Sequence, residues 1–265
     1  MQIRLEAPAP SYRCRSVAAL AAILALAGCA TMPAERVSPD DPLEPLNRAV
    51  FDINTSLDEA FIKPLAQAYR DVVPAYARDR IRSVIDNLAE PRIFANDLLQ
   101  GRGDAAATTL ARFAMNSTLG IAGLFDPASE RGLSKQSGDF GQTLYAWGFG
   151  DGPYLVLLFF GPSNLRDAIG LGVDLFTTPP GPLLQSHAGF VIGFTVGTVD
   201  AMDLRSRNIE TLDEIKASAL DYYSHMKSIT RQRREAQLRE AKNLPAQPQE
   251  LTDPETSVDG PDQEH

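Results

Sequence analysis

Apolar residues recur at helical spacing along the first part of the chain, beginning just after Glu44 and Pro45. The apolar positions on this face are Leu46, Val50, Ile53, Leu57 and Phe61. Residues three, four or seven apart share one face of a helix, so the pattern predicts an amphipathic helix, and Pro45 suits its first turn. A proline inside a helix removes a backbone donor, and we therefore expect a break or kink near Pro64.

A second helical pattern starts at Pro74, and its apolar positions are Ile81, Val84, Ile85 and Leu88. Pro91 is expected to stop this helix, which makes the following segment, RIFANDLLQG, a separate short helix ending at Gly101. Asp104 is expected to cap the next helix. These segments predict a domain built mainly from helices.

Glycine and proline interrupt the pattern every few residues after Gly120, and regular periodicity is lost. Within GDGPYLVLLFFGPSNLRD, residues 150–167, an unbroken apolar run is bounded by two Gly-Pro pairs. The run consists of Tyr154, Leu155, Val156, Leu157, Leu158, Phe159 and Phe160. The residues expected to set its turns are Gly150, Gly152, Pro153, Gly161 and Pro162. A buried strand would explain the run, and so would a segment that faces lipid.

A second apolar patch covers residues 188–199. Neither patch is long enough to cross a bilayer as a helix, because spanning takes about 20 apolar residues. Residues 204–241 predict one long polar helix, and its apolar face carries Ile215, Leu220, Tyr223, Met226 and Ile229. Residues 242–265 are acidic and rich in proline, so we expect a disordered tail and a folded body that spans residues 42–241.

The N-terminus has the features of a targeting segment. Three arginines precede an apolar stretch over residues 17–27, and the sequence LAGCA follows, with Cys29 in place. This order resembles the lipobox of bacterial lipoproteins, which implies that residues 1–28 are a signal peptide and that Cys29 carries acyl chains. The alternative is an ordinary signal peptide with a chance cysteine. Ala30 replaces the aspartate that retains many lipoproteins at the inner membrane, so the resemblance implies the outer membrane, with residues 29–41 as anchor and linker.

Charge and side-chain chemistry exclude several function classes. The chain has 265 residues, a net charge of -9 and a pI of about 4.9, which argues against nucleic acid as a partner. The only cysteines are Cys14, inside the signal peptide, and Cys29, so disulfides, thiolate metal sites and a cysteine nucleophile are not expected. His187 and His225 lack ligand-spaced partners, and no GxSxG motif is present. The sequence therefore gives no support for an enzyme, a metal or a cofactor.

Four ungapped blocks carry a family resemblance. They are DPLEPLNRAVFDIN, DVVPAYARDRIRSVIDNLAEPRIFANDLLQG, RFAMNSTLGIAGLFDPA and GDFGQTLYAWGFGDGPYLVLLFFGPSNLRDAIG. In order and spacing they resemble the VacJ/MlaA family of outer-membrane lipoproteins, from about Asp41 to about Tyr223. One departure is Leu158, where the family commonly has a proline after YLVL, so a bend expected there is softened.

The resemblance implies an all-α, ring-like bundle of amphipathic helices, with short irregular apolar segments, embedded in the inner leaflet of the outer membrane. Phospholipids misplaced in the outer leaflet would pass through its amphipathic channel to a soluble periplasmic carrier. That carrier would feed an ABC-type complex at the inner membrane. The resemblance also implies association with trimeric porins and no covalent chemistry.

The apolar run and Arg166 are the candidate lipid-contacting positions. We expect residues 154–160 to face the membrane or the channel, and the alternative is that they pack inside the ring. Arg166 would bind a phosphate head group, or else it forms a local ion pair at a helix start. Two other function classes remain open: a lipoprotein that scaffolds porins or the cell wall without moving lipid, and a phospholipase.

Overall fold

The computed structural model describes residues 41–177 and 187–242. Helices make up most of these residues, which confirms the predicted all-α class, and a single β-hairpin is present in the described ranges. The first helices are α1 (Glu44–Leu57), α2 (Lys63–Val72), α3 (Ala75–Leu99), α4 (Gly103–Thr118), α5 (Pro127–Glu130) and α6 (Phe140–Ala146). The hairpin strands β1 (Tyr154–Leu157) and β2 (Gly161–Asn164) follow. The last helices are α7 (Leu165–Thr177), α8 (His187–Arg207), α9 (Ile209–Ser218) and α10 (Tyr222–Ala241).

The helix does not break at Pro64. A π-helical turn, Asp58–Ile62, joins α1 to α2, and the backbone N–H of Lys63 donates to the carbonyl of Asp58. Pro64 lies in the first turn of α2, where its missing N–H costs little. The wider π turn therefore accommodates the proline while the chain continues in helical form.

Pro91 lies inside α3, so the prediction that it ends a helix is wrong. The residues after it belong to the same helix, which ends at Leu99 instead of forming a separate piece. Packing of α3 along α4 buries Glu90 next to the proline against Arg112, and this contact outweighs the loss of one backbone hydrogen bond. Asp104 is in the first turn of α4 and is not its cap.

The single long helix predicted over residues 204–241 is also wrong. The structure has three helices in this region, since α8 ends at Arg207 and α9 ends at Ser218. Ala219 is extended, and the carboxylate of Asp221 accepts a hydrogen bond from the Ser224 hydroxyl at 2.7 Å, which stabilises the start of α10. The apolar patch at residues 188–199 belongs to α8.

The apolar run forms a regular hairpin where an irregular segment was expected. Strands β1 and β2 are antiparallel, with Tyr154 opposite Asn164 and Leu157 opposite Gly161. The three-residue loop begins at Leu158, so the chain reverses there even without the family proline. Gly161 has a φ of +79°, a backbone conformation that glycine adopts without steric cost and that closes the turn.

Contacts between elements form a closed circuit. The hairpin contacts α1 on one side and α7 on the other, α7 packs on α6, and α6 packs on α3. From α3 the circuit continues through α8 and α2, and the π turn returns it to α1. Helix α4 packs on the outside of this circuit against α3, and α10 lies across the hairpin and α6. This arrangement agrees with the expected ring-like bundle.

One small aromatic cluster lies where α1, the hairpin and α10 meet. Phe51, Tyr154, Val156 and Tyr223 are buried together. The ring of Tyr223 meets those of Phe51 and Tyr154 edge to face, at centroid distances of 5.5 and 6.3 Å. Such pairs contribute about 0.5–1.5 kcal/mol each beyond their buried area. The cluster therefore fixes both ends of the chain's folded body against the hairpin.

Candidate functional site

The polarity of the described structure is inverted relative to an ordinary soluble domain. Among the described residues, polar and charged side chains outnumber apolar ones in the buried set. The largest of the fully buried side chains are Arg112, Gln142, Glu90, Asn47, Thr109 and Thr143. Arginine and glutamate are almost never fully buried unless they are paired, so this interior is held by hydrogen bonds and ion pairs.

Large apolar side chains instead cover the outside. Phe176 is 75% exposed and Phe159 72%, and both lie among many exposed leucines, isoleucines and phenylalanines. Further examples from across the described chain are Leu46, Phe61, Leu65, Leu99, Leu119, Ile121, Phe125, Trp147, Ile169, Leu175, Ile192 and Phe194. Exposed apolar area on this scale marks a surface that contacts lipid or protein. Within the described ranges, none of the helices has the length and hydrophobicity needed to span a bilayer.

The first buried polar group joins α3 to α4. The guanidinium of Arg112 donates from Nε to Glu90 Oε1 at 2.9 Å and from Nη2 to Asp126 Oδ2 at 3.1 Å. Its remaining nitrogen donates to the carbonyl of Leu133 at 2.6 Å. Burial raises the pKa of Glu90, although the charge of Arg112 opposes that shift. The arginine is thus surrounded by acceptors in a site closed to water.

A second polar group, which is half-buried, joins α10 to α6 and α7. Arg234 on α10 bridges two carboxylates, with distances of 2.6 and 2.8 Å to Asp139 and 2.9 and 2.8 Å to Asp167. Burial opposes ionisation of Asp139, but hydrogen bonds from Arg234 lower its pKa below the usual value. A Cβ on Gly141 would lie 2.5 Å from Asp167 Oδ1, so this position must be glycine for the bridge to form.

Arg166 lies in the first turn of α7 and is buried. Its guanidinium forms ion pairs with Asp151 and Asp167, the second at 3.0 Å, and faces the ring of Tyr145 at 5.2 Å. The side chain of Asn164 caps this helix by accepting the backbone N–H of Asp167 at 2.8 Å. The contacts are those of the ion-pair alternative, and head-group binding by Arg166 stays a prediction.

The apolar run divides into two parts in the structure. Tyr154 and Val156 point into the aromatic cluster, and Leu155 and Leu157 are half-buried. Leu158, Phe159 and Phe160, which we call the hairpin tip, are exposed. The inner part therefore has the surroundings of a packed core, and the tip is the part that is free to contact lipid.

Two asparagines on α1, which sequence reasoning missed, hold the hairpin in place. The Asn47 amide donates to the carbonyl of Tyr154 at 3.0 Å and accepts the N–H of Val156 at 2.8 Å. Asn54 repeats the pattern with the carbonyl of Leu157 and the N–H of Phe159, both at 2.9 Å. Asn47 and Asn54 are seven residues apart beside the apolar face of an amphipathic helix, and this spacing could have predicted a shared contact. Arg234 lies inside a charged run, where the sequence contains no comparable signal.

A cleft of about 340 Å³ opens between the hairpin and α10. Residues from the hairpin and its flanks line one wall, including Tyr154 and Ser163. The opposite wall is α10, with Arg231 and Arg233 among its lining residues.

Within residues 41–177 and 187–242, acidic, histidine and cysteine side chains form no cluster suited to a metal ion. Cys29 and the predicted signal peptide lie outside the described residues. So do the predicted linker and tail, except for the last residue of the linker, Asp41, and the first residue of the tail, Lys242.

Comparison with known proteins assigns the chain to a family. The model of the family described as MlaA lipoprotein matches residues 39–237. The chain belongs to the MlaA lipoprotein family. This confirms the resemblance seen in the four sequence blocks.

The relatives that the chain matches include an uncharacterized protein and proteins whose names state a function. The chain is 36% identical over 206 residues to an uncharacterized protein of Rickettsia bellii, covering 77% of this chain and 79% of the relative. It is 37% identical over 155 residues to the intermembrane phospholipid transport system lipoprotein MlaA of Escherichia coli K12, covering 57% and 62%. The protein of the same name from Haemophilus influenzae is 30% identical over 211 residues, covering 77% and 82%.

A solved structure shares the fold. It is described as the structural basis for maintenance of bacterial outer membrane lipid asymmetry, and it matches with a TM-score of 0.65 at 30% identity. The match covers 75% of this chain and 98% of the solved one. Helices dominate this chain as they do that fold, so the MlaA lipoprotein assignment holds at the level of both sequence and structure.

Proposed function

We propose that this protein is an outer-membrane lipoprotein that removes misplaced phospholipids from the outer leaflet and passes them to a soluble periplasmic carrier. It would thereby maintain the lipid asymmetry of the outer membrane. The names of its Escherichia coli and Haemophilus influenzae relatives support transport, as does the lipid-asymmetry role of the solved structure. Acylation of Cys29 would anchor it, and a trimeric porin would be its neighbour in the membrane.

The inverted polarity carries this proposal. A protein that lies in a leaflet needs apolar side chains where acyl chains touch it, and the exposed leucines and phenylalanines supply them. Head groups need polar surroundings while they cross that leaflet, because a charged group in hydrocarbon loses its hydration. The exposed apolar side chains meet the first requirement, and the cleft between the hairpin and α10, lined by charged and polar side chains, offers surroundings of the second kind.

The hairpin tip is the segment that we place in the acyl region. Each fully buried phenylalanine side chain gains about 1.5–3 kcal/mol on leaving water, so Phe159 and Phe160 together would hold the tip in lipid. A photoreactive amino acid at position 159 should crosslink to acyl-chain probes, whereas one at position 232, on the polar α10 helix, should not. Equal labelling at the two positions would contradict this placement.

The decisive test measures phospholipid in the outer leaflet of intact cells. A membrane-impermeant amine label or added phospholipase should detect more outer-leaflet phospholipid in a deletion strain than in wild type. Wild-type protein should reverse the rise, and Cys29→Ala should not. An unchanged outer leaflet with altered porin assembly would contradict transport and favour the scaffolding alternative. Release of lysophospholipid by the purified protein would instead indicate a phospholipase.

A further inference from the structure

The cleft between the hairpin and α10 contains positive charge that the fold does not use. Every other arginine that the described structure places close to this cleft is paired: Arg234 bridges Asp139 and Asp167, and Arg166 pairs with Asp151. Arg231 and Arg233 line the cleft and form no ion pair with any described residue. Both are exposed, so an incoming anion can reach them.

A buried hydroxyl in the same cleft also lacks a partner. Tyr154 is only 8% exposed and lines the cleft, yet its Oη makes no hydrogen bond within the described structure. Burial raises the pKa of this phenol, so it remains protonated and can donate. The neighbouring Lys227 is engaged elsewhere, since its Nζ lies 2.8 Å from Asp41 Oδ2. An unused buried donor is costly unless a ligand or water completes it.

Free guanidinium groups beside a neutral hydroxyl donor match a phosphate diester. Arginine presents several N–H donors in a planar fork that fits phosphate oxygens, and the hydroxyl adds a directional bond. Asp151 and Asp167 are already neutralised by arginine, and Glu235, the remaining carboxylate that lines the cleft, offsets one of the two free guanidinium groups. The unpaired groups of the cleft therefore keep a net positive charge, from Arg231 and Arg233 against Glu235.

The position of the cleft relative to the hairpin tip points to a lipid. The cleft is at the base of β1, at Tyr154, and the exposed apolar tip begins at Leu158. Four residues of strand span about 13 Å, which is comparable to the roughly 15 Å depth of hydrocarbon in one leaflet. A molecule with its phosphate in the cleft could thus lay its chains along the hairpin toward the tip.

We propose that this cleft binds the phosphodiester of a phospholipid head group through Arg231, Arg233 and the Tyr154 hydroxyl. The assignment rests on the proposed function, because it names the group by which the transported lipid is held. In this assignment the hairpin contacts the lipid at both ends, with the head group at its polar base and the acyl chains at its apolar tip.

Binding of a short-chain lipid tests this directly. Full-length protein in detergent would be titrated calorimetrically with dihexanoyl phosphatidylethanolamine. Arg231→Gln/Arg233→Gln should weaken binding about tenfold or more, which is about 1.4 kcal/mol or more. Tyr154→Phe, which keeps the ring packing, should weaken it several-fold. Arg239→Gln, a charge change on the same helix outside the cleft, serves as the matched control and should bind like wild type.

Two further ligands separate a lipid from a free phosphate. Glycerophosphoethanolamine and inorganic phosphate share the anion but lack acyl chains, so they should bind much more weakly than the dihexanoyl lipid. Equal affinity for all three would overturn the lipid assignment. Wild-type affinity in the double arginine variant, with an unchanged thermal midpoint, would overturn the site itself.

The outer-leaflet assay distinguishes failure of the site from failure of the function. If deletion raises outer-leaflet phospholipid but the double arginine variant binds lipid and complements fully, the cleft assignment fails and transport stands. If the variant loses lipid binding while deletion leaves the outer leaflet unchanged, transport fails and the cleft remains a phospholipid site.

Discussion

The α3–α4 interface and the aromatic cluster around the hairpin are both buried, but they are held by different forces. Arg112 and Glu90 meet at the first interface in a dry, charged contact. Phe51, Tyr154 and Tyr223 meet at the second through apolar area and edge-to-face rings. The first depends on every partner being present, because an unpaired buried charge is costly, whereas the second tolerates small losses of volume.

Removing one charge from the α3–α4 interface should give the largest effect. Arg112→Met leaves Glu90 buried without its partner, and breaking a buried ion pair costs about 3–5 kcal/mol of the free energy of unfolding. Phe51→Leu, the comparison in the aromatic cluster, should cost about 1 kcal/mol. Thermal unfolding followed by circular dichroism in detergent would compare them. Equal shifts of the midpoint would show that the two regions do not differ as we describe.

A methyl group at Gly141 should give the next largest effect. The added Cβ would lie 2.5 Å from Asp167 Oδ1 and 2.7 Å from Arg234 Nη2, so in Gly141→Ala both side chains must move and the bridge between them is weakened. Overpacking of this kind costs about 1–3 kcal/mol. Gly172→Ala, on α7 with open space around its Cβ, is the control. A midpoint that falls equally in both variants would show that the Arg234 bridge does not depend on Gly141.

Acid should weaken the α3–α4 interface through Asp126. Burial opposes its ionisation, but hydrogen bonds from Ser129, Asn116 and Arg112 lower the pKa of Asp126 to about 2. The folded pKa is below the unfolded value of about 3.9, so this contribution to stability is complete above pH 4 and is lost as pH falls toward 2. In Asp126→Asn the unfolding midpoint should be lower at pH 5 and should fall less between pH 4 and pH 2. An unchanged pH dependence would contradict this role.

The smallest effect is expected where α1 holds the hairpin. Asn54→Ala removes two hydrogen bonds beside the tip and should cost about 1 kcal/mol. Hydrogen exchange should speed up at Phe159, whose N–H the asparagine accepts, while the aromatic cluster stays protected. Ser56→Ala, on the same helix with its hydroxyl bonded only to the Asp52 carbonyl, should leave exchange unchanged. No change in Asn54→Ala would show that the strands alone fix the tip.

Much of the fold followed from local pattern. The helical spacing from Leu46 to Phe61 predicted the first amphipathic helix, and the four sequence blocks indicated the family and an all-α body. The predicted stop at Pro91 was wrong because packing against α4 overrode a local rule. The single helix over residues 204–241 was wrong because Asp221 starts a new helix there, a capping signal hidden within a polar stretch.

The candidate site was predicted only in part. The apolar run was singled out as unusual, but sequence could not separate its buried residues, Tyr154 and Val156, from its exposed tip. In a hairpin, neighbouring side chains point to opposite faces and the chain reverses within a few residues. Hydrophobicity alone does not show which of these side chains are buried and which are exposed. The cleft was not anticipated at all, since its two walls are about 80 residues apart in the sequence.

The sequence by itself determined that helices dominate the chain, the family to which it belongs and the lipobox-like motif at Cys29, because periodicity and short motifs are properties of neighbouring residues. The tertiary structure decided that the interior is polar and the exterior apolar. Arg234 and Asp139 are 95 residues apart, and nothing near either one marks the other as its partner. Only the folded chain brings such charges together and shields them in part from water, and that shielding strengthens the pairing.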